Sequence, residues 1–352
     1  MRIVSLNSIK GTEILAKDVY SGNDALLMPS GSIVKKEYIR RLRDLNVEYL
    51  YIEDEIAQGI NLTNNLEFQI QEQCQEAVRN ILQKYSYHNE NELEQIINIA
   101  DEIIRNIMED PGVIFNLSTI RQKSRSTYSH SLNVCALAVL LSFKLKLPKV
   151  KIRDIAIGCL LHDIGITYIK SELLDASMED NTENVLKELK KHIIYGYSAV
   201  EKMEWLSATS KDIIISHHER LDGSGYPFHV KEGRIKIGSR IAAVCDEFDS
   251  RVYGNFMKKM KVHDAIDFIV SQAGAQFDFR VVKAFVDSVA AYPTGCLVRT
   301  NEGDTAIVLR QNPQCPTRPV IRIIEYSNGD KPNQWIEKNL VEELTLFITD
   351  TI

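Results

Sequence analysis

The chain has 352 residues, 44% of them hydrophobic and 26% charged, with a formal net charge of −6. These are values of an ordinary globular protein long enough to hold more than one domain. The negative charge argues against electrostatic binding to long nucleic acids or anionic membranes, and no stretch reads as a targeting segment or a membrane span. A cytoplasmic location is expected. The six cysteines (Cys74, Cys135, Cys159, Cys245, Cys296 and Cys315) are scattered without a CxxC pair, which fits free thiols in a reducing compartment.

In chain order, residues 1–58 read as a small mixed α/β domain. "MRIVSLNSI" and "VEYLYIEDE" alternate like strands, and "KKEYIRRLRDLN" has helical periodicity. Residues 59–112 follow as a polar helical linker, in which Ile70, Cys74, Ala77, Ile81 and Leu82 mark one amphipathic face. "ENELEQIINIADEIIRNIMED" continues it to Pro111-Gly112. Such helices join domains or pair two subunits, so a homodimer through the linker is an open possibility. Residues 113–290 read as helical throughout, with apolar helices over "SLNVCALAVLLSFKLKL", "KIRDIAIGCLLHDIG", "ENVLKELKKHIIYGYSAVEKM", "SATSKDIIISHHE" and "IGSRIAAVCDEFDS". Gly165 stands at a C′ position of the second. Residues 291–352 change character, alternating with Gly and Asn turns like a small antiparallel β domain. The fold expected is therefore mainly α, a helical bundle flanked by two small modules.

Five of the eight histidines lie on or at the ends of the apolar helices. His130 precedes Val134, Leu137, Ala138 and Leu141 at helical spacing, which puts it on the packed face. His162 and Asp163 end an apolar run, His192 shares a face with Tyr195, Ala199 and Met203, His217 and His218 follow three isoleucines, and Asp246 follows Ala242 and Ala243. Burying this set uncompensated is costly. Divalent cations offset the cost, because neutral imidazole and carboxylate oxygen are their ligands. Without a cysteine pair a closed structural zinc site does not fit, and mixed N/O ligation suits a harder ion such as Fe or Mn. The adjacent pair His162-Asp163 can place its imidazole on one ion and its carboxylate across to another. His217 and His218 diverge, and either join His192 on one ion or reach separate ions. Two ions about 3.5–4 Å apart form a clamp for in-line displacement at phosphorus, so a phosphoesterase is the reaction class expected. Of the remaining histidines, His88 and His263 sit among polar neighbours and read as solvated, and His229 reads as a surface residue. Arg240 either braces the Asp-rich turn or is exposed.

"HSLNVCALAVLLS", "LLHDIG", "KKHIIYGYSAV", "ISHHERLDGSGYP" and "RIAAVCDEFDS", in this order, resemble the HD-GYP domain of the HD phosphohydrolase superfamily. The resemblance covers residues 113–290; HHExxDGxGYP is highly specific, whereas HD alone is weak. It implies an all-α bundle that hydrolyses cyclic di-GMP, or 3′,3′-cyclic GMP-AMP, at a metal centre. It further implies metal-ligand roles for His130, His162, Asp163, His192, His217, His218 and Asp246, with Asp163 bridging and with His162 and Asp163 at the catalytic centre. Tyr226 would shape the substrate side, in a loop shared with Gly223 and Pro227, and Asp222, Gly225 and Lys258 would join it in binding substrate.

The sequence departs from the family pattern at three places. Ser126 stands where trinuclear members carry a Glu, which favours two ions. Ile166 replaces the lysine of HDIGK, and Asn255, Phe256 and Met257 stand in place of Arg-Pro-Tyr, leaving Lys258 in register and Arg251 and Lys259 nearby. Each missing phosphate-binding cation removes a charge-assisted hydrogen bond worth about 1.5–3 kcal/mol, while the metal ligands are all present. The reading is thus a binuclear cyclic-dinucleotide phosphodiesterase giving the linear dinucleotide. The alternatives are a slow sensor or regulatory module that binds metal and nucleotide, and an HD phosphohydrolase with another substrate.

Overall fold

The computed structural model describes residues 1–20, 26–45, 47, 49–60, 90–109, 127–170, 173, 183–254 and 257–352. The described residues divide into two compact units, 1–60 with 289–352, and 90–109 with 127–288. Ser126, Asn255, Phe256, His88, Cys74 and the first expected linker helix lie outside the described residues.

In the first unit, the two alternating stretches become β1 (Arg2–Ser5) and β5 (Tyr49–Glu53), paired antiparallel with Val4 opposite Leu50. Strand β2 (Ile14–Leu15) joins the other edge of β5, β3 (Val19–Tyr20) and β4 (Leu26–Met28) form a separate ribbon, and the expected helix is α1 (Lys36–Asp44). Val4, Leu15, Val34, Leu42, Leu50 and Ile52 fill their core. The C-terminal strands are β6 (Leu297–Thr300), β7 (Thr305–Arg310), β8 (Val320–Glu325), β9 (Ile336–Asn339) and β10 (Ile348–Thr351). They form one antiparallel sheet in the order β10-β6-β7-β8-β9.

Successive strand residues face opposite ways, and both faces of β7 are used. Ala306 and Val308 join a core with Ile321, Leu340 and Leu346, whereas Ile307 and Leu309 pack with Tyr51, Ile60 and Val320. The guanidinium of Arg322 donates to Gln58 O at 2.7 Å across the same seam. The N- and C-terminal modules, distant in sequence, therefore share an apolar cluster.

The second unit is all helical: α2 (Glu90–Glu109), α3 (Thr127–Lys144), α4 (Lys149–Leu161), α5 (Glu183–Leu189), α6 (His192–Val200), α7 (Ala208–Ser216), α8 (Ile237–Tyr253), α9 (Val262–Ser271) and α10 (Phe279–Val286). Helices α3, α4 and α8 form the interior. Their hydrophobic residues are buried on nearly every side, as expected of helices with no solvent face. Helix α2, from the expected linker, buries Ile99, Ala100, Ile103 and Ile107, and packs on α3 and α4. That face is spent on its own bundle and is not free for a second subunit. No helix among the described residues is long and apolar enough to cross a membrane.

Three local expectations change. The single helix expected over 183–203 breaks at Lys190 and Lys191, where the His192 imidazole takes the Leu189 carbonyl. Arg240 neither braces the Asp-rich turn nor stands free in solvent: it donates to Ile235 O, Glu232 O and Asp278 Oδ2, and Asp278 caps α10. His263 is not solvated; its side chain is 15% exposed and lies 3.5 Å from Asp264. His229 is exposed, as read from the sequence. Cys135, Cys159 and Cys245 are free and buried, and Cys296 and Cys315 are free and half-buried.

Candidate metal centre

The ligand candidates come from five stretches of the bundle. His130 projects from the first turns of α3, His162-Asp163 follow the last turn of α4, His192 opens α6, His217-His218 end α7, and Asp246 lies in the middle of α8. All but His218, whose side chain is 20% exposed, are buried. The chain from α4 into α6 comes close enough only because residue 165 is glycine. A Cβ there would stand 1.8 Å from His192 O and 2.6 Å from Gly196 N. Gly165 is thus not the C′ residue expected: it lies within the 3-10 turn Ile164–Tyr168 and serves close approach rather than a left-handed backbone.

Four of the five rings are oriented by the outer nitrogen. His162 Nδ1 donates to Cys159 O at 2.7 Å, His192 Nδ1 to Leu189 O at 2.7 Å, and His217 Nδ1 lies 3.1 and 3.2 Å from Ile213 O and Ile214 O. His130 Nδ1 meets Asp249 Oδ2 at 2.7 Å, and Asn133 donates to the other oxygen of Asp249 at 2.7 Å. A carbonyl only accepts, so the contacts of His162, His192 and His217 keep the proton on Nδ1 and leave Nε2 a bare lone pair, whereas His130 has a carboxylate on each side, Asp249 at Nδ1 and Asp246 at Nε2. The bare Nε2 atoms of His192 and His217 face one another at 3.5 Å, and that of His162 faces His130 Nε2 at 3.1 Å. Two lone pairs at such distances repel unless a cation lies among them. That need, with two carboxylates alongside, is what a divalent ion meets.

The ligand atoms gather in two sets, Asp163 with His192, His217 and His218, and Asp163 with His130 and His162. Asp163 divides its oxygens between them. Oδ1 lies 3.3 Å from His192 Nε2 and 3.8 Å from His217 Nε2, and Oδ2 lies 3.6 Å from His130 Nε2 and 3.5 Å from His162 Nε2. Asp246 also reaches both, with Oδ1 3.1 Å from His130 Nε2 and Oδ2 3.5 Å from His218 Nδ1. His217 and His218, left open in the sequence, thus fall in one set with His192.

The electrostatics follow from burial among these partners. Burial opposes charge on His130, yet hydrogen bonds with Asp246 and Asp249 push it up to about 10. Burial and the neighbouring His162 push His217 down to about 3. Burial works against ionisation of Asp163, but the surrounding His162, His192, His130 and His217 hold its carboxyl below the ordinary value. A site that keeps its carboxylates ionised and holds the His217 and His218 imidazoles neutral has metal-ligand chemistry.

The rim is built differently. Glu219, buried, accepts from Phe228 N at 2.7 Å and Val230 N at 3.1 Å, and so ties down the loop that carries Tyr226. Gly225 lets that loop fold back on the HHE turn, since a Cβ there would stand 2.4 Å from both His218 O and Arg220 N. The Tyr226 ring stacks on His218 with centroids 4.7 Å apart and planes 18° apart. Asp222 is exposed and spends its carboxylate on Ser224 N and Oγ, closing the turn. Lys258 is exposed. Arg251 does not substitute for a phosphate-binding arginine: it makes a two-pronged pair with Glu247 and lies over Phe268.

Sequence reasoning passed over Asp249, Asn133, Glu219 and Lys190. Asp249 and Asn133 each stand one helical turn beyond a candidate ligand, Asp246 and His130, and that spacing was the available signal. Glu219 is the acid of HHE itself. Lys190, whose Nζ lies 4.9 Å from the Tyr226 ring centroid, carried no signal that sequence could isolate.

Comparison with known proteins agrees with this geometry. Residues 114–281 match the HD domain family, and residues 297–352 match the KOW domain associated with HD domain. The chain is 31% identical over 236 residues to the cyclic di-GMP phosphodiesterase PA4108 of Pseudomonas aeruginosa, covering 67% of this chain and 56% of that protein. It is 25% identical over 252 residues to the 3′3′-cGAMP-specific phosphodiesterase 2 of Vibrio cholerae, covering 70% of this chain and 47% of that protein. The chain thus spans about half the length of these relatives. Among solved structures, the HDG"Y"P protein Bd1817 of Bdellovibrio bacteriovorus shares the fold, with TM-score 0.53, 18% identity, and coverage of 80% of this chain and 97% of that one. With its HD pair, its HHE turn and its GYP loop folded around one histidine-carboxylate cluster, the chain belongs to the HD phosphohydrolase superfamily as an HD-GYP domain protein, related to cyclic di-GMP phosphodiesterases.

Proposed function

We propose that the helical bundle is a metal-dependent phosphodiesterase that opens a cyclic dinucleotide, cyclic di-GMP, to its linear form. The observation that carries this reading is the division of the two Asp163 oxygens between two sets of inward-facing imidazole nitrogens. His192, His217 and His218 would hold one divalent ion, His130, His162 and Asp246 the other, and Asp163 both. When bound, a pair of such ions makes a nucleophilic water available near neutral pH and offsets charge on phosphoryl oxygens. The all-N/O donor set, with no sulfur among the ligands, suits Fe or Mn.

The chain's own residues do the rest. Asp163 fixes the spacing of the two sets. The carbonyls of Cys159, Leu189, Ile213 and Ile214 hold His162, His192 and His217 in one tautomer and Asp249 fixes the His130 ring, so that none of these four has to turn during reaction. Tyr226, stacked on His218, offers its hydroxyl and ring to substrate at the rim. The names of the related phosphodiesterases support cyclic di-GMP as the substrate, with 3′,3′-cyclic GMP-AMP as the competing dinucleotide.

A second reading, a slow sensor that binds metal and nucleotide, draws on two observations. Ile166 is a buried apolar side chain rather than a cation, and Arg251 is committed to Glu247. Anaerobic loading of the full chain with Fe or Mn, followed by chromatography of cyclic di-GMP, separates the two. Conversion to the linear dinucleotide is expected. Measurable binding without product under either metal would favour the sensor.

A further inference from the structure

Three lysines stand on or beside the α5–α6 break, and only one lacks an acidic partner. Lys187 Nζ pairs with Glu183 at 2.8 Å and Lys191 Nζ with Glu188 at 2.5 Å. At helical spacing from Lys190 stand Leu186, Lys187, Ile193 and Ile194, none of them acidic. Its ammonium instead lies over the Tyr226 ring, and among the described residues it makes no ion pair. Tyr226 in turn stacks on His218, a member of the ligand set. Lys190 is therefore a cation one aromatic ring outside the cluster, held at a ring face with its three donors uncommitted. The arginines nearest the same motifs are neutralised: Arg220 and Arg251 share Glu247, and Arg240 binds Asp278.

A cyclic dinucleotide carries two phosphodiesters in one ring. When one occupies the metal clamp, the other keeps a full negative charge and must meet a cation or water. We infer that Lys190 binds the second, non-reacting phosphate of the cyclic substrate and so favours cyclic dinucleotides over simple phosphodiesters. This rests on the phosphodiesterase reading above.

The test compares full-length, Mn-loaded wild type with Lys190→Met and Lys190→Arg. A charge-assisted contact at an exposed position predicts a rise of about tenfold in KM for cyclic di-GMP in Lys190→Met. Metal content and kcat should stay close to wild type, and Lys190→Arg should recover most of the loss. The rise should exceed that for bis(p-nitrophenyl) phosphate, which has one phosphate, at least about fivefold. Calorimetric titration with the linear dinucleotide gives a readout apart from turnover, with Kd weakened to a similar degree. An unchanged KM and Kd in Lys190→Met, or an equal rise with both substrates, overturns the inference. If the wild type turns over no cyclic dinucleotide, the underlying reading fails. The calorimetry then still decides the role of Lys190: a weakened Kd supports it and an unchanged one overturns it.

Discussion

The interior of the site and its rim are held by different means. Inside, each of His130, His162, His192 and His217 is fixed by a hydrogen bond on its outer nitrogen, to a main-chain carbonyl or to Asp249, and packed on all sides. At the rim, Tyr226 is held by stacking and by a loop tied to Glu219, Asp222 only closes a turn, and Lys190 and Lys258 are exposed. The interior departs from the HD-GYP pattern at none of its expected ligands, and the phosphate-facing positions depart at Ile166. The lesson is physical. A ligand cluster works only as a complete set, because one missing member leaves buried charge uncompensated, whereas a rim cation can be supplied from another stretch of backbone.

The strongest way to break the interior is Asp163→Ala, which removes the carboxylate whose two oxygens are divided between the sets. Both ions should be lost from purified protein by elemental analysis, and turnover should fall by roughly three orders of magnitude or more. Retained activity would sink the metal mechanism. Next is Asp249→Ala, which leaves every ligand in place but frees the outer nitrogen of His130 and the amide of Asn133. Metal titration should show affinity or activity reduced about 10- to 100-fold.

Glu219→Gln probes the rim from beneath. The amide keeps one acceptor for the two backbone N–H groups of Phe228 and Val230. Stability to urea should fall by about 1–3 kcal/mol, with KM affected more than metal content. Equal loss of metal would mean that rim and interior are not separable.

The smallest effect is expected away from both, at Asp278. Burial works against ionisation of Asp278, but Arg240 and the N–H groups of Arg280 and Val281 hold its carboxyl below the ordinary value. A lowered folded-state pKa gives stability that is complete above the unfolded value and lost as pH falls through the folded one. Asp278→Asn should therefore cost about 0.5–2 kcal/mol near neutral pH. The gap should close below about pH 4, where the wild type also loses its charge. A gap that widens with acid would contradict this linkage.

Much of the fold and of the ligand set is legible in the amino-acid order. Alternation marks β1 and β5, and apolar periodicity marks α3, α4 and α8 with His130 and Asp246 turned inward. HD and HHE bring two ligands at a time because neighbouring side chains at a helix end diverge. What is not legible depends on segments far apart in the chain. His130 and Asp249 are 119 residues apart, and Arg322 and Gln58 are 264 apart. No local pattern reports such a pairing, because periodicity gives the face of an element and not what lies opposite it.

The amino-acid order alone set the ligand types, their inward faces and the glycines that let the turns close, since these follow from side-chain chemistry and backbone sterics. Packing of the bundle settled which nitrogen of His162, His192 and His217 is free and that Asp163 and Asp246 both span the two ligand sets. It also decided that Glu219 anchors the Tyr226 loop and that the cation beside Tyr226 is Lys190. Those outcomes are set by distances between helices, and a distance between helices exists only once the bundle has packed.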